Sequence, residues 1–181
     1  MARIAILERS AMDAEQGRVY DEAMKSHGIV GGPFYAYIRL PKLFEAAQNM
    51  RTRTSSGPLS RREQQIIHLV VARGYNARYP WFAQVRASLA AGIDQAVIDA
   101  INTRKDPVLA NDREQTVFAV ANELVANRGL SDAAYAAAEK SLGINDLIAA
   151  VASVGNFSMT CLTANTFGID PPSANPTPLA P

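Results

Sequence analysis

Apolar residues recur at helical spacing along most of the chain, and no stretch alternates as a half-buried strand would. The clearest segment begins at Ser60 with Glu63, a capping-box pair, and continues through Ile66, Ile67, Val70 and Val71. Before it, Ser10 with Asp13 predicts a first helix closed by Gly28, and Gly31-Gly32-Pro33 breaks the chain. Phe34, Tyr35 and Tyr37 form an aromatic cluster ahead of Pro41, which suits the first turn of a helix reaching Thr54. After the joint Gly74-Tyr75-Asn76, a helix is predicted to end at Gly92, and Asp94 caps a short one holding Val97, Ile98 and Ile101. Asn111 and Glu114 cap the next, with Val117, Phe118, Ala121, Leu124 and Val125 on one face and Gly129 at its end. Ser131 begins an alanine-rich helix that stops at Gly143, and Asn145 begins a long one without a charged residue from Leu147 to Ile169.

Pro171, Pro172, Pro176, Pro178 and Pro181 then crowd into the last segment, and each lacks an N–H donor. That segment is expected to be an extended arm, loose or laid on a neighbour. The expected architecture is all-α: one domain over residues 1–170, a bundle of about seven helices around one core, and a Pro-rich arm over 171–181.

Composition narrows the chemistry. Across 181 residues the net charge is +1, so no basic excess exists to bind nucleic acid by counterion release. The single cysteine, Cys161, excludes an internal disulfide and any mechanism needing two thiols in one chain. His27 and His68 are the only histidines, which excludes a three-histidine metal site from one chain. No cofactor and no metal are expected. The uncharged 147–169 stretch carries Ser153, Asn156, Ser158, Thr160, Thr163 and Asn165 and has no basic anchors. It is read as a helix buried in a bundle or subunit contact rather than a membrane span, and the chain as cytoplasmic.

The segment Leu-Ser-Arg-Arg-Glu-Gln-Gln-Ile-Ile (59–67), the Val70-Val71-Ala72-Arg73 run, Asn-Ala-Arg-Tyr-Pro-Trp (76–81) and Gln84 through Ile93 to Ala100 resemble the carboxymuconolactone decarboxylase and alkylhydroperoxidase-D-like (AhpD-like) superfamily. The resemblance is tightest over 59–100. It implies the AhpD-like helical bundle and a homo-oligomer, a trimer or a multiple of three, with the site near a subunit interface. Redox members of that group carry a Glu twelve residues before the first cysteine of a Cys-x-x-Cys, and a His four beyond the second. On this sequence those places hold Gln65, Ala77, Pro80 and Gln84. A dithiol peroxidase needs a thiolate and a second sulfur to resolve it, and Ala77 and Pro80 supply neither. Decarboxylase members lack the cysteines, but they too carry His where Gln84 stands; an amide can orient a carbonyl or a water but cannot titrate.

The resemblance and the residues together nominate His68, Gln65, Gln84 and Tyr79 as catalytic. His68 would move a proton, Gln65 shares its helix face three positions earlier, and Gln84 would orient the substrate. A buried, hydrogen-bonded core histidine among Ile66, Ile67, Leu69 and Val70 would present the same pattern. Trp81, Arg86, Arg73 and Tyr35 are the candidate substrate-binding residues, with packing or solvated ion pairs as their ordinary alternatives. Glu63 is read as a cap first, and Cys161 as a small buried hydrophobe. Two functions stand. One is a cofactor-free lyase, decarboxylase or isomerase for a small aromatic- or lactone-derived acid. The other is a non-catalytic oligomeric relative that binds a small molecule.

Overall fold

The computed structural model describes residues 2–28 (His27 by its backbone), 30–172 and 177–181; positions 173–176 of the expected arm lie outside the described residues. The described residues form nine α-helices, one 3-10 turn and no strand. The helices are α1 (Ala14–His27), α2 (Phe34–Tyr37), α3 (Pro41–Ser55), α4 (Arg61–Gly74), α5 (Arg78–Ala90), α6 (Gln95–Asn102), α7 (Asp112–Asn127), α8 (Asp132–Leu142) and α9 (Ile144–Phe167). The fold is all-α, as expected.

The helix ends are set by side chains. Ser60 accepts from the Glu63 N–H while the Glu63 carboxylate accepts from the Ser60 N–H at 2.7 Å, a full capping box on α4. Ser131 and Asn111 cap α8 and α7, and Pro41 stands in the first turn of α3. Some ends depart from the predicted ones. Ser10 sits in the 3-10 turn Arg9–Ala11, and the capping box of α1 is Asp13 with Gln16. Asp13 wins because glutamine three residues on can return the bond, whereas Ser10 would need Asp13 to do so. Asp94 stands at the start of α6 without a side-chain cap bond. Arg128, at φ +67°, takes the left-handed position expected of Gly129, and α9 begins one residue before Asn145, with Gly143 at φ +78° before it. Helix α2 is a single turn within the aromatic cluster and was too short to show a period.

Helix α4 is the centre of the fold. Residues 63–67 and 69–73 are all buried, by α5 and α6 on one side and α7 and α9 on the other. Its apolar residues join Trp81, Val85, Ile98, Val117, Ala121, Ala150, Val154, Phe157 and Cys161 in one core. A smaller cluster of Val19, Ala23, Val30, Tyr37, Ile38, Phe44 and Ala47 lies among α1, α2 and α3. The two meet across α9, where Tyr37 Oη and Thr163 Oγ1 share a hydrogen bond of 2.8 Å. Helix α9 has 24 residues, and its most apolar 18-residue window has a mean hydropathy of 1.6, long and apolar enough by composition to cross a bilayer. Here one side of it, Leu147, Ala150, Val154, Phe157, Cys161 and Ala164, forms part of the core.

Burying α4 also buries its charges. The Glu63 carboxylate, 5% exposed, accepts from Arg113 Nε at 2.6 Å, and the same guanidinium donates to Asp146. Glu114, also 5% exposed, pairs with Arg62 at 2.7 Å and accepts from the Ala110 N–H. These pairs tie the starts of α4, α7 and α9 together. Removing the guanidinium that two carboxylates share leaves a buried charge unpaired. Arg113→Met is therefore expected to lower stability by about 2 kcal/mol, less than for a fully enclosed pair because Arg113 keeps solvent contact. Arg9→Met, which breaks an exposed pair with Asp21, should leave stability nearly unchanged. Denaturant unfolding of the two variants checks the contrast.

Candidate functional site

Within residues 63–73, His68 alone is not fully buried, and it marks the one gap in the cover of α4. Helices α4 and α5 run antiparallel, so stepping back one turn on α4 steps forward one turn on α5. Two polar rungs result. His68 Nδ1 lies 3.3 Å from Gln84 Oε1, and Ser88 Oγ donates to Gln65 Oε1 at 3.5 Å. Ser88 is fully enclosed, and the upper rung is lidded by Phe157 of α9, whose ring stacks on the imidazole with centroids 4.2 Å apart at 21°.

An amide oxygen only accepts, so Nδ1 carries the hydrogen and Nε2 keeps its lone pair. No hydrogen bond to Nε2 occurs among the described residues. Burial lowers the imidazole pKa to about 4; the Gln84 bond opposes that shift and the nearby Arg51 guanidinium adds to it. The ring is therefore neutral at pH 7. Arg51 belongs to α3, where its Cζ stands 6.0 Å above the Phe34 ring. It brings a cation toward His68 from an element with no sequence link to α4.

The other nominated residues divide. Tyr79 and Tyr35 are neighbours, and burial first, then Tyr35, raises the Tyr79 phenol pKa. The chain passes the Tyr79 ring so closely at Gly32 that a Cβ there would stand 2.3 Å from Cε1, and the φ of +58° suits glycine as well. No hydrogen bond or ring contact among the described residues joins these tyrosines to His68. Trp81 is fully buried in the core, its Nε1 donating to the Thr177 carbonyl at 3.0 Å. Arg73, 5% exposed, sits two turns of α4 beyond Gln65 and donates to Asn76 Oδ1 at 2.6 Å. Arg86 is exposed and lies 5.9 Å from the Phe82 ring. Gln65, His68 and Gln84 are thus brought together, while Arg73 and Arg86 make their contacts elsewhere. Ser88, Phe157 and Arg51 were missed. Ser88 was within reach, because it lies one turn after Gln84 on the same face; Phe157 and Arg51 come from distant helices and left no local signal.

Ala77 and Pro80, the two places that the resemblance assigns to cysteines, carry no sulfur. Ala77 is fully buried at the start of α5, and Pro80 is buried in its first turn. Cys161 is enclosed in the core, and burial pushes its thiol far above the ordinary range. Among the described residues no group of three or more His, Cys, Asp or Glu side chains is placed to hold a metal ion.

The depressed imidazole pKa has a thermodynamic signature. An unfolded His68 binds its proton near pH 6.5 and the folded one near pH 4, so between these values the unfolded chain holds more protons. Stability therefore rises with pH across that window; the penalty is complete below pH 4 and absent above 6.5. It should amount to about 2 kcal/mol for a ring that keeps some solvent contact. In His68→Gln, the stability gained between pH 4 and 7 should shrink by about that amount, read from denaturant midpoints. An unchanged gap would place the imidazole in water.

No family model matches the sequence, and no curated protein matches it. Solved structures do. The chain is similar to the alkylhydroperoxidase AhpD core of an uncharacterized peroxidase-related protein from Ralstonia eutropha JMP134, with TM-score 0.77 and 19% identity over 95% of this chain and 93% of that one. It is also similar to an uncharacterized peroxidase-related protein from Silicibacter sp. TM1040, with TM-score 0.78 and 18% identity over 96% and 93% of the two chains. At these identities the likeness is one of architecture, and with the residue pattern of 59–100 it establishes that this chain has the AhpD-like fold.

Proposed function

We propose that the chain is a cofactor-free acid–base enzyme, a lyase, decarboxylase or isomerase, acting on a small aromatic- or lactone-derived acid. The observation that carries this reading is the 3.3 Å approach of Gln84 Oε1 to His68 Nδ1. Gln84 holds the hydrogen on Nδ1 and leaves Nε2 as an unprotonated base at the one gap in the cover of α4. Nε2 takes a proton from the substrate, and the Gln84 oxygen supports the imidazolium that forms. Gln65, held by Ser88, orients the substrate. Arg51 replaces Arg73 and Arg86 as the cation that receives the carboxylate. A carboxylate seated there offsets the charge that now disfavours the imidazolium, so substrate binding itself makes His68 a stronger base.

The test is a panel of such acids followed by NMR. His68→Ala is expected to lose at least about 100-fold in kcat while folding normally, and Arg51→Ala to raise KM with a smaller change in kcat. Full turnover in His68→Ala overturns the assignment. Peroxide with a dithiol reductant should be consumed at the uncatalysed rate, since Ala77 and Pro80 bring no sulfur. A second reading, a non-catalytic binding protein, draws on two observations. Both relay positions are amides, and the two cavities described lie elsewhere: one of about 510 Å³ between α1 and α3, lined by Val19, Glu22, Phe44 and Gln48, and one of about 810 Å³ beside Glu63, Arg113 and Asp146. Thermal stabilisation by a panel member without conversion would favour it.

The same proposal includes self-association, as a trimer or a multiple of three. Ile144, Ile148, Val151, Met159 and Leu162 are exposed on α9 and recur at helical spacing with Gly155 among them, so an apolar stripe runs along the side of α9 opposite the core. A second copy of the chain suits such a stripe. Ile148→Asp with Leu162→Asp should reduce the mass measured by light scattering to that of the monomer without loss of helix. A monomeric parent chain would remove the proposal.

A further inference from the structure

Residues Thr177 to Pro181 lie across α4, α5 and α6 as an extended segment, and four side-chain hydrogen bonds read its backbone. Trp81 Nε1 donates to the Thr177 carbonyl at 3.0 Å, and Asn102 Nδ2 donates to the Pro178 carbonyl at 2.9 Å. Asn102 Oδ1 accepts from the Ala180 N–H at 2.8 Å, and Arg73 Nη2 donates to the Pro181 carbonyl at 3.1 Å. Asn102 thus offers both halves of its amide to residues two apart, the pattern by which a neighbouring strand pairs an extended backbone. Between those two bonds, Leu179 packs against the principal core.

The receiving side chains come from three helices and are themselves buried: Trp81 at 0%, Arg73 at 5% and Asn102 at 8%. Among the described residues Arg73 Nε is enclosed without a hydrogen-bond partner, and burial first, then the neighbouring Arg104 cation, disfavours the charge on this guanidinium. Asn76 lies between them, its Oδ1 accepting from Arg73 at 2.6 Å and from Arg104 at 3.4 Å. Asn76 and Arg104 both hold left-handed backbone, at φ +49° and +57°. A buried guanidinium with spare donor capacity and a cation for a neighbour is built to receive carbonyl or carboxylate oxygen. The segment itself has two prolines without N–H and no helix or strand of its own. It is pre-extended, loses little entropy on docking, and depends on the groove for its partners.

We propose that Arg73, Trp81 and Asn102 form a groove that recognises an extended, proline-bearing peptide, and that Thr177–Pro181 of this chain is its resident, releasable ligand. The carbonyl acceptors and the Ala180 N–H give affinity, and the Leu179 side chain gives specificity.

Trp81 is the single tryptophan, so its fluorescence reads the groove directly. In the full chain carrying Leu179→Asp, Trp81 emission should shift to the red and become more open to acrylamide quenching, with helix content retained. An acetylated pentapeptide matching 177–181 should reverse both changes saturably, at concentrations up to about millimolar. Adding Asn102→Ala should weaken that response at least tenfold, and a pentapeptide with Asp for Leu should give none. In the unaltered chain, the Ala180 amide should exchange with deuterium at least 100-fold faster than amides inside α4, because the strap leaves while the bundle stays folded. Trp81 emission that is the same with and without Leu179→Asp, a released groove that ignores the peptide, or Ala180 protection equal to that of α4 would each overturn the proposal.

Discussion

The fold depends on one constraint: from Glu63 to Arg73, α4 is buried at every position except His68. A helix enclosed on all sides must pair every polar group it carries, because an unpaired one costs on the order of 1–3 kcal/mol and a charge costs more. This chain places Glu63, Gln64, Gln65, His68 and Arg73 on that helix. Each then dictates a neighbour. Glu63 requires Arg113 and through it Asp146, Gln64 reaches the Ser55 and Leu59 carbonyls, Gln65 meets Ser88, His68 meets Gln84, and Arg73 meets Asn76. The polar partners fix the register of α5 and α7 against α4, and the apolar residues between them supply the burial. The candidate site is thus a by-product of the same requirement: it is the one place where the enclosure of α4 is incomplete and a titratable group stands behind the gap.

The legible part of this in the sequence was the local part. Ser60 and Glu63 announce α4 because both capping bonds close within four residues, and the 3.6-residue spacing of Ile66, Ile67 and Val70 needs no tertiary information. Errors occurred where two local signals competed. Ser10 and Asp13 are both good caps, and Gln16 decided between them; Gly129 was the expected helix stop, yet Arg128 adopted the left-handed turn one residue earlier. At the site, the grouping of Gln65, His68 and Gln84 came from the family-like spacing across the joint at Gly74. The Phe157 stack and the Arg51 charge did not come, since each depends on how a helix distant in sequence crosses α4. The proline arm was legible as extended, but not that the chain would cradle it: Asn102 and Arg73 look like ordinary polar residues until their burial is known.

The proposed chemistry starts from the side chains that stand at 77, 80 and 84. Ala77 and Pro80 are buried and carry no sulfur, and the one thiol of the chain, Cys161, is held protonated by the core. Glutamine at 84 is informative here. A histidine in that place would itself titrate, whereas an amide can only hold its partner, so under the proposed function His68 is the one base of the pair.

That arrangement has a cost that decides which substrates fit. An imidazole whose pKa lies near 4 is a poor base toward a neutral ligand. Under the proposed function it becomes a useful one only when an anion balances Arg51 and favours the imidazolium, so the proposal requires a substrate bearing a carboxylate close to the proton it gives up. Phe157, stacked on the ring, covers one face of the imidazole. A neutral ligand can occupy such a site but cannot prime it, and the distinction between the enzyme and the binding protein reduces to whether the bound molecule carries that charge.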